Sequence, residues 1–243
     1  MKAIILAAGT ASRLRPLTSH TPKCLLKIGE RSLLQRSMDA LINNGITEFC
    51  IVTGYLHEQI ESFVKCQYPT LKVRFIHNAD YETTNNIYSL WLARPEAEGA
   101  DILLLDSDLV YDGKIIQRVL QSPNDNVLTL ICHELGEEEM KVVTDETGNI
   151  QEISKTCSPS KAAGESLGIE KMGKSYTQAL YQELEGMMNR EHLENTFYEL
   201  AFERLLKKGY TYQVLNVSDL FSCELDTVED FENAKQLIPA ELF

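Results

Sequence analysis

The sequence predicts an α/β protein with a mostly parallel sheet covered by helices on both faces. Short runs rich in Ile, Leu and Val recur through the first half. Between them lie stretches with the 3.6-residue apolar period of amphipathic helices. The size agrees: 243 residues with 44% hydrophobic content are long for one domain, yet within the reach of a single α/β unit with a sizeable core.

Taken in chain order, residues 3–7, 49–52, 73–76, 102–105 and 127–132 read as strands, each short and bounded by turn or charged residues. The first helix begins at Ser32, where Ser32 and Gln35 have the spacing of a capping box. Leu34, Met38, Leu41 and Ile42 share one of its faces, and Gly45 ends it. Further helices are expected over residues 58–65, 86–93, 113–121, 175–188 and 197–207, with a last one starting near Thr227. Residues 141–143 and 150–153 flank the turn-forming stretch from Asp145 to Asn149, which signals a hairpin. No Pro/Gly/Ser-rich linker, repeat or low-complexity tract interrupts the chain. One domain over residues 1–243 is expected, with a substrate-side lid drawn mainly from about 133–195.

The formal net charge of −13 argues against nucleic acid or an anionic membrane as a partner, since both are polyanions. Locally the sign reverses. Residues 1–29 hold Lys2, Arg13, Arg15, Lys23 and Lys27 and no acid; the first is Glu30. Such a segment in an acidic chain suggests a site for a compact anion such as a triphosphate. The six cysteines are scattered without zinc spacing, and Cys50 and Cys132 fall in apolar runs where a thiol acts as a small hydrophobe. That usage fits a reducing cytoplasm. The apolar stretch after Met1-Lys2 is too short for a signal peptide and runs into Gly9 and two arginines, so it reads as a strand. No run approaches the length of a membrane span.

Three segments carry chemistry. The first is Leu6-Ala7-Ala8-Gly9-Thr10-Ala11-Ser12-Arg13-Leu14, continuing to Pro22-Lys23. A buried strand opens into a loop of small residues whose backbone N–H groups can approach phosphate oxygens. Arg13 can chelate phosphate in a bidentate manner, and Lys23 adds a mobile point charge. The pattern is neither a Walker A loop nor GxGxxG. A mere polar loop with surface cations would leave the absence of acids to chance. The second segment is Ile102-Leu103-Leu104-Leu105-Asp106-Ser107-Asp108, an apolar strand ending in acids at i and i+2. In an extended chain these lie on one side, at the strand end where α/β proteins place ligands, and such pairs commonly hold Mg²⁺. The third is Cys223-Glu224-Leu225-Asp226-Thr227-Val228-Glu229-Asp230-Phe231. Alone it is a helix start, with Asp226 as cap and Glu229 behind it.

Together these motifs resemble the signature of the nucleotidyltransferases that include sugar-phosphate pyrophosphorylases and bacterial choline-phosphate cytidylyltransferases. The resemblance extends from Lys2 to about Lys235. It implies a Rossmann-like three-layer α/β/α fold with a mostly parallel mixed sheet, of the nucleotide-diphospho-sugar transferase type. It also implies that Leu6, Ala7, Ala8, Gly9, Thr10, Ala11 and Ser12 bind the nucleotide, that Arg13 contacts the leaving β,γ-phosphates, and that Lys23 steadies the α-phosphate. Ala11 departs from the pattern, which usually has a second glycine there, and so narrows the available backbone angles. By the same resemblance Asp108 and Asp226 ligate Mg²⁺ with help from Glu224, while Asp106 lies on the nucleotide side.

Asn85-Asn86-Ile87-Tyr88-Ser89-Leu90 resembles the choline-phosphate branch and its phosphonate-using relatives, with Asn85, Asn86 and Ser89 beside base or ribose. A bland alternative is that the amides simply cap a helix. Lys155 resembles a lysine that faces the incoming phosphate. A cationic head needs carboxylates or aromatic faces, which Tyr198 and Glu199 can supply, as can Trp91, Tyr111 and Tyr176; all of them suit a core equally well.

The implied reaction is attack of an acceptor phosphate or phosphonate oxygen on the α-phosphorus of CTP, releasing pyrophosphate. An anionic nucleophile needs no general base, so no histidine is assigned a catalytic role. The expected partners are CTP and a small acceptor, phosphocholine or 2-aminoethylphosphonate being favoured, with no nucleic acid or membrane; a homodimer is compatible with this reading. Two other readings remain open: a hexose-1-phosphate nucleotidylyltransferase, and a non-catalytic nucleotide-sensing subunit.

Overall fold

A computed structural model describes residues 1–242. The chain begins with β1 (Lys2–Ala7), passes through β2 (Lys27–Ile28) and β3 (Arg31–Ser32), and enters α1 (Leu33–Asn43). There follow β4 (Glu48–Thr53), α2 (His57–Gln67), β5 (Lys72–His77), α3 (Asn86–Leu92), α4 (Arg94–Ala97), β6 (Ile102–Asp106) and β7 (Leu109–Tyr111). The second half holds α5 (Lys114–Gln121), β8 (Val127–Ile131), β9 (Lys141–Thr144), β10 (Ile150–Ser154), β11 (Gly164–Met172), α6 (Lys174–Asn189) and α7 (Glu199–Lys207). It closes with β12 (Gln213–Asn216), β13 (Ser222–Glu224) and α8 (Val228–Leu237).

The main sheet has nine strands in the order β10-β9-β11-β6-β1-β4-β5, with β8 joining β11 to β12. β5, β4, β1 and β6 are parallel, and β8 pairs with β12 in parallel. β11 is antiparallel to β6, β8 and β9, and β10 to β9. Every strand except β10 and β11 therefore runs in the same sense, the mostly parallel mixed sheet that the sequence implies. Alternation along β1 shows why helices cover both faces: Ile4 and Leu6 pack with the α3, α6 and α7 side, Ala3, Ile5 and Ala7 with α1, α2 and α5. No helix of the described residues is long and apolar enough to cross a membrane.

Several local expectations change. Ser32 Oγ accepts from Gln35 N at 3.2 Å, so the forward half of the capping box is present. The last helix is capped by Thr227, not Asp226: Thr227 and Asp230 form the capping box. Asp226 is thereby released for other contacts. Cys132 lies past the end of β8 and is exposed, whereas Cys50 is buried as expected. β11, the long strand beside β6, has no counterpart in the sequence reading.

Parallel pairing fixes the site. β1 and β6 are neighbours with Leu6 opposite Asp106, so the loops leaving both strands emerge side by side at their carboxyl ends. A satellite apolar cluster then joins the two chain ends: Leu14, Leu26 and Ile28 pack with Val110, Leu225 and Phe231. β13 pairs with β7, placing Glu224 opposite Leu109, and Leu225 N donates to Asp108 O at 3.2 Å. Residues more than a hundred positions apart are thus set against the same strand end.

Candidate active site

A cleft of about 550 Å³ lies over the carboxyl ends of β1 and β6, and a second lobe of about 300 Å³ continues from it. Asn86, Asp106, Asp108, Lys155, Glu224 and Asp226 border both lobes, so the two form one cavity with a charged waist. At the waist Lys23 Nζ donates to Asp108 Oδ2 and to Asp226 Oδ1, each at 2.9 Å. Arg13 donates to the other Asp226 oxygen at 2.6 Å. Burial works to lower the Lys23 pKa, but the charges and hydrogen bonds of Asp108 and Asp226 outweigh it and raise the value. For Asp226 burial pushes upward, and Lys23 with Arg13 brings it below the usual carboxylate range.

Asp108, Glu224 and Asp226 each bring a carboxylate oxygen within 4.8 Å of the others. Asp108 Oδ1 is buried and has no hydrogen-bond partner among the described residues. Glu224 opens onto the cleft, yet the surrounding protein and the charges of Asp108 and Asp226 push its carboxyl up to about 8. Three crowded carboxylates, one with an orphaned buried oxygen, form an oxygen-only donor set that fits a hard divalent cation.

The end of β1 and the loop that follows it line the cleft with Leu6, Ala7, Ala8, Gly9, Ala11 and Arg13. Thr10 and Ser12 belong to the loop but not to the cavity wall. Ala11 has φ 47 and ψ 49, the left-handed conformation, at the position where the signature usually carries glycine. An L-residue there costs roughly 1–2 kcal/mol. The loop is held by Thr18, whose hydroxyl donates to Ala11 O at 2.8 Å.

Asn85, Asn86 and Ser89 line the larger lobe, together with Asn78, Tyr81 and Thr84, none of which was singled out as a site residue, although Tyr81 and Thr84 lie just upstream on the same stretch. The capping alternative is also realised. Asn85 Oδ1 accepts from Asn86 N at 2.8 Å, and Asn86 Oδ1 accepts from Tyr198 N at 3.0 Å, tying the start of α3 to the start of α7.

In the second lobe Lys155 Nζ lies 3.5 Å from Glu138 Oε2 and 4.8 Å above the Phe197 ring. Glu199 lines this lobe, but Tyr198 does not: it is fully buried behind it, its hydroxyl donating to Asp106 Oδ2 at 3.0 Å. Trp91, Tyr111 and Tyr176 pack in the core and do not reach the cleft. Glu138, Glu139, Glu165 and Phe197 also line the wall and were not anticipated; of these only Phe197, next to Tyr198, had any signal nearby. None of the five histidines borders either lobe. Gly168 makes room for Asp106: its φ is +76, and a Cβ there would fall 2.6 Å from Asp106 Oδ2.

The acids beneath this lobe are forced toward neutrality. Burial, then Asp108 and Glu199, push Asp106 well above the carboxylate range, and burial pushes Glu199 to about 7 against the opposing pull of its own backbone N–H and Lys155. Glu199 Oε2 has no partner among the described residues. Between about pH 4.5 and 7 the folded protein keeps the Glu199 proton while the unfolded chain loses it, so this group lowers stability as pH rises through that window. Relative to wild type, Glu199→Gln is expected to gain little stability near pH 4.5 and on the order of 3 kcal/mol above pH 7. Urea unfolding of both proteins across that range checks it; a pH-independent difference would sink it.

The description "Nucleotidyl transferase" belongs to the family model that matches residues 2–155. The chain is 41% identical over 108 residues to choline-phosphate cytidylyltransferase of Streptococcus pneumoniae, an alignment covering 44% of either chain. It is 34% identical over 114 residues to 2-aminoethylphosphonate cytidylyltransferase of Lancefieldella rimae, covering 47% of this chain and 45% of the relative. Each match thus spans less than half of the relative's length. In fold it is similar to the solved CTP:phosphocholine cytidylyltransferase of Streptococcus pneumoniae, with a TM-score of 0.80 at 22% identity over 98% of this chain and 99% of that one.

Proposed function

We propose that this chain, which belongs to the nucleotidyl transferase family, moves CMP from CTP to a small phosphorylated or phosphonylated acceptor with a cationic tail, releasing pyrophosphate. Phosphocholine and 2-aminoethylphosphonate are the favoured acceptors. The observation that carries this reading is the waist of the cleft, where Lys23 stands between Asp108 and Asp226 with a phosphate loop on one side and an acid-rich lobe on the other.

The triphosphate lies along the loop amides of residues 8–11, with the α-phosphorus at Lys23 and the β,γ-phosphates at Arg13. The acceptor enters the second lobe, its phosphate or phosphonate steered by Lys155. An acceptor oxygen, already anionic, forms a bond to the α-phosphorus. The bond from that phosphorus to the bridging oxygen of the β-phosphate breaks, and pyrophosphate leaves with the electron pair. No proton has to be removed, which suits a cleft without histidine. Lys23 and Arg13 leave their carboxylate partners and turn to phosphate oxygens, stabilising the charge that grows during transfer. Asp108, Asp226 and Glu224 would hold Mg²⁺, which when bound supplies charge neutralisation for the phosphate oxygens. The region 133–195 would act as the acceptor-side lid: residues 138–140, 155 and 165–168 from it line the second lobe.

A cationic tail is favoured because the second lobe is ringed by Glu138, Glu139, Glu165 and Glu199 and by the Phe197 face, with Lys155 as the cation for the acceptor's own anionic group. The test is the ratio of kcat/KM for phosphocholine or 2-aminoethylphosphonate to that for glucose-1-phosphate, with CTP and pyrophosphate release as readout. A ratio of at least about tenfold is expected, one decade being only 1.4 kcal/mol. A ratio below one would move the chain to the sugar-1-phosphate branch and leave the loop assignment standing.

A further inference from the structure

Between the end of β8 and the start of β9, residues 132–140 cross the rim of the acceptor lobe, with Glu137, Glu138 and Glu139 in succession. Lys141, the first residue of β9, does not point to solvent; it is 1% exposed. Its side chain turns back beneath the loop that precedes it. Nζ donates to Gly136 O at 2.8 Å, to Glu139 O at 3.2 Å and to Glu137 O at 3.5 Å. A lysine head has three N–H donors and no acceptor, so three carbonyl oxygens satisfy it completely. Burial of such a group is tolerated only with its donors matched, and here the partners are backbone oxygens of a single loop.

One atom gathering the carbonyls of residues 136, 137 and 139 fixes the peptide planes between them. The side chains carried on those planes face the cleft: Glu138, Glu139 and Met140 all line the second lobe. Two further bonds close the arrangement. Gly136 N donates to Glu139 Oε2 at 2.8 Å, and Ser166 N donates to Met140 O at 2.9 Å. The Glu139 carboxyl is held below its ordinary value by hydrogen bonds from its own and the Gly136 backbone N–H, with the Lys141 charge assisting.

We propose that Lys141 is a positioning residue for acceptor selection: by gathering the carbonyl oxygens of Gly136, Glu137 and Glu139 it holds Glu138 and Glu139 as a fixed anionic wall against the acceptor's cationic tail. The inference rests on the assignment of this lobe to the acceptor. Methionine at 141 has similar length and no donor, so it leaves three carbonyls unmatched and frees the loop.

Two variants and two readouts test it. In Lys141→Met, amide hydrogen exchange over residues 135–140 should accelerate about tenfold or more while β1 and β6 keep their protection. Its KM for phosphocholine or 2-aminoethylphosphonate should rise about tenfold, with kcat and the KM for CTP staying within about twofold. Glu138→Gln/Glu139→Gln should raise the acceptor KM to the same extent without faster exchange in the loop, and adding Lys141→Met to it should raise that KM little further. Unchanged loop exchange in Lys141→Met overturns the proposal. So does a uniform loss in which kcat and the KM for CTP change together with the acceptor KM, because that is the mark of a merely structural lysine. If Lys141→Met does not fold, the glutamine pair decides alone, and a normal acceptor KM overturns the proposal. Failure of the wild type to use any cationic acceptor would instead overturn the proposed function, while the exchange measurement still decides what Lys141 holds.

Discussion

Lys23→Ala is expected to lower kcat by about 10²–10³-fold, the usual loss when one preorganised donor is removed from developing charge. The ligand-free geometry shows why a single side chain carries so much. Lys23 is mostly buried, bonded at 2.9 Å to both Asp108 and Asp226, and its partners arrive from β7 and β13 by separate routes through the fold. It stands where negative charge must be matched: that of two carboxylates in the ligand-free protein and, in the proposed reaction, that of the phosphate oxygens. Arginine should rescue poorly, since a planar fork cannot replace a compact point charge held between two carboxylates. The variant carries a second signature that needs no turnover. Without Lys23 the three acids of the waist repel one another, so the ligand-free protein should melt lower and recover most of the loss in Mg²⁺. Pyrophosphate-release kinetics and thermal melts with and without Mg²⁺ read both effects. A folded Lys23→Ala protein with near-normal kcat would remove Lys23 from the reaction.

The strands of the parallel half were legible because each is a short apolar run bounded by polar residues, and those runs place β1, β4, β5 and β6 within a residue or two. β11 was not legible, and the reason is physical. It contains Glu165, Gly168, Glu170 and Lys171, a composition that reads as loop, yet it lies against β6 and β8 with Glu170 fully buried. Tertiary pairing overrides local preference there. Its ladder shifts between Ser166 and Glu170, the stretch that holds Gly168 beside Asp106. The irregularity that hid the strand is the one that makes room in the site. At the other end, either Asp226 or Thr227 could have capped α8. Thr227 does so, with Asp230 returning the bond, and only the folded chain decides between adjacent oxygen-bearing side chains.

In the candidate site, the residues that motifs single out come together in one cleft: Arg13, Lys23, Asp108, Glu224 and Asp226 meet although they lie at the two ends and middle of the chain. The second lobe was only partly legible. Lys155 and Glu199 were singled out, but much of the remaining wall comes from the loop at 138–140 and the irregular part of β11, which carry no periodic or motif-like signature. A run of three glutamates reads as a solvated surface patch; the bonds that the Lys141 side chain makes to the carbonyls beneath it are visible only in the folded chain. Tyr198 shows the opposite error. An aromatic next to an acid suggested a ligand contact, but its ring is buried and only its hydroxyl serves the site, through Asp106.

Asp108→Asn should cost as much as Lys23→Ala, about 10²–10³-fold in kcat, and for a reason that metal titration separates from the lysine's. Asparagine preserves shape and still offers an oxygen to Lys23, but it removes the charge whose buried Oδ1 has no partner in the protein. The Mg²⁺ concentration needed for half-maximal activity should therefore rise by about tenfold or more, and EDTA should abolish wild-type activity until Mg²⁺ is restored. Asp226→Asn should behave alike, because its carboxylate completes the same cluster within 4.8 Å. If the two acids hold one ion, the double variant Asp108→Asn/Asp226→Asn should be hardly worse than either single one. Groups that act as a unit are strongly non-additive, whereas independent contributions would multiply toward about 10⁴–10⁶-fold. Multiplicative losses, or an unchanged Mg²⁺ requirement in a folded Asp108→Asn protein, would separate these carboxylates from any shared ion. They would then stand as the resting partners of Lys23 and Arg13, neutralised in the ligand-free protein and released when the triphosphate takes their cations.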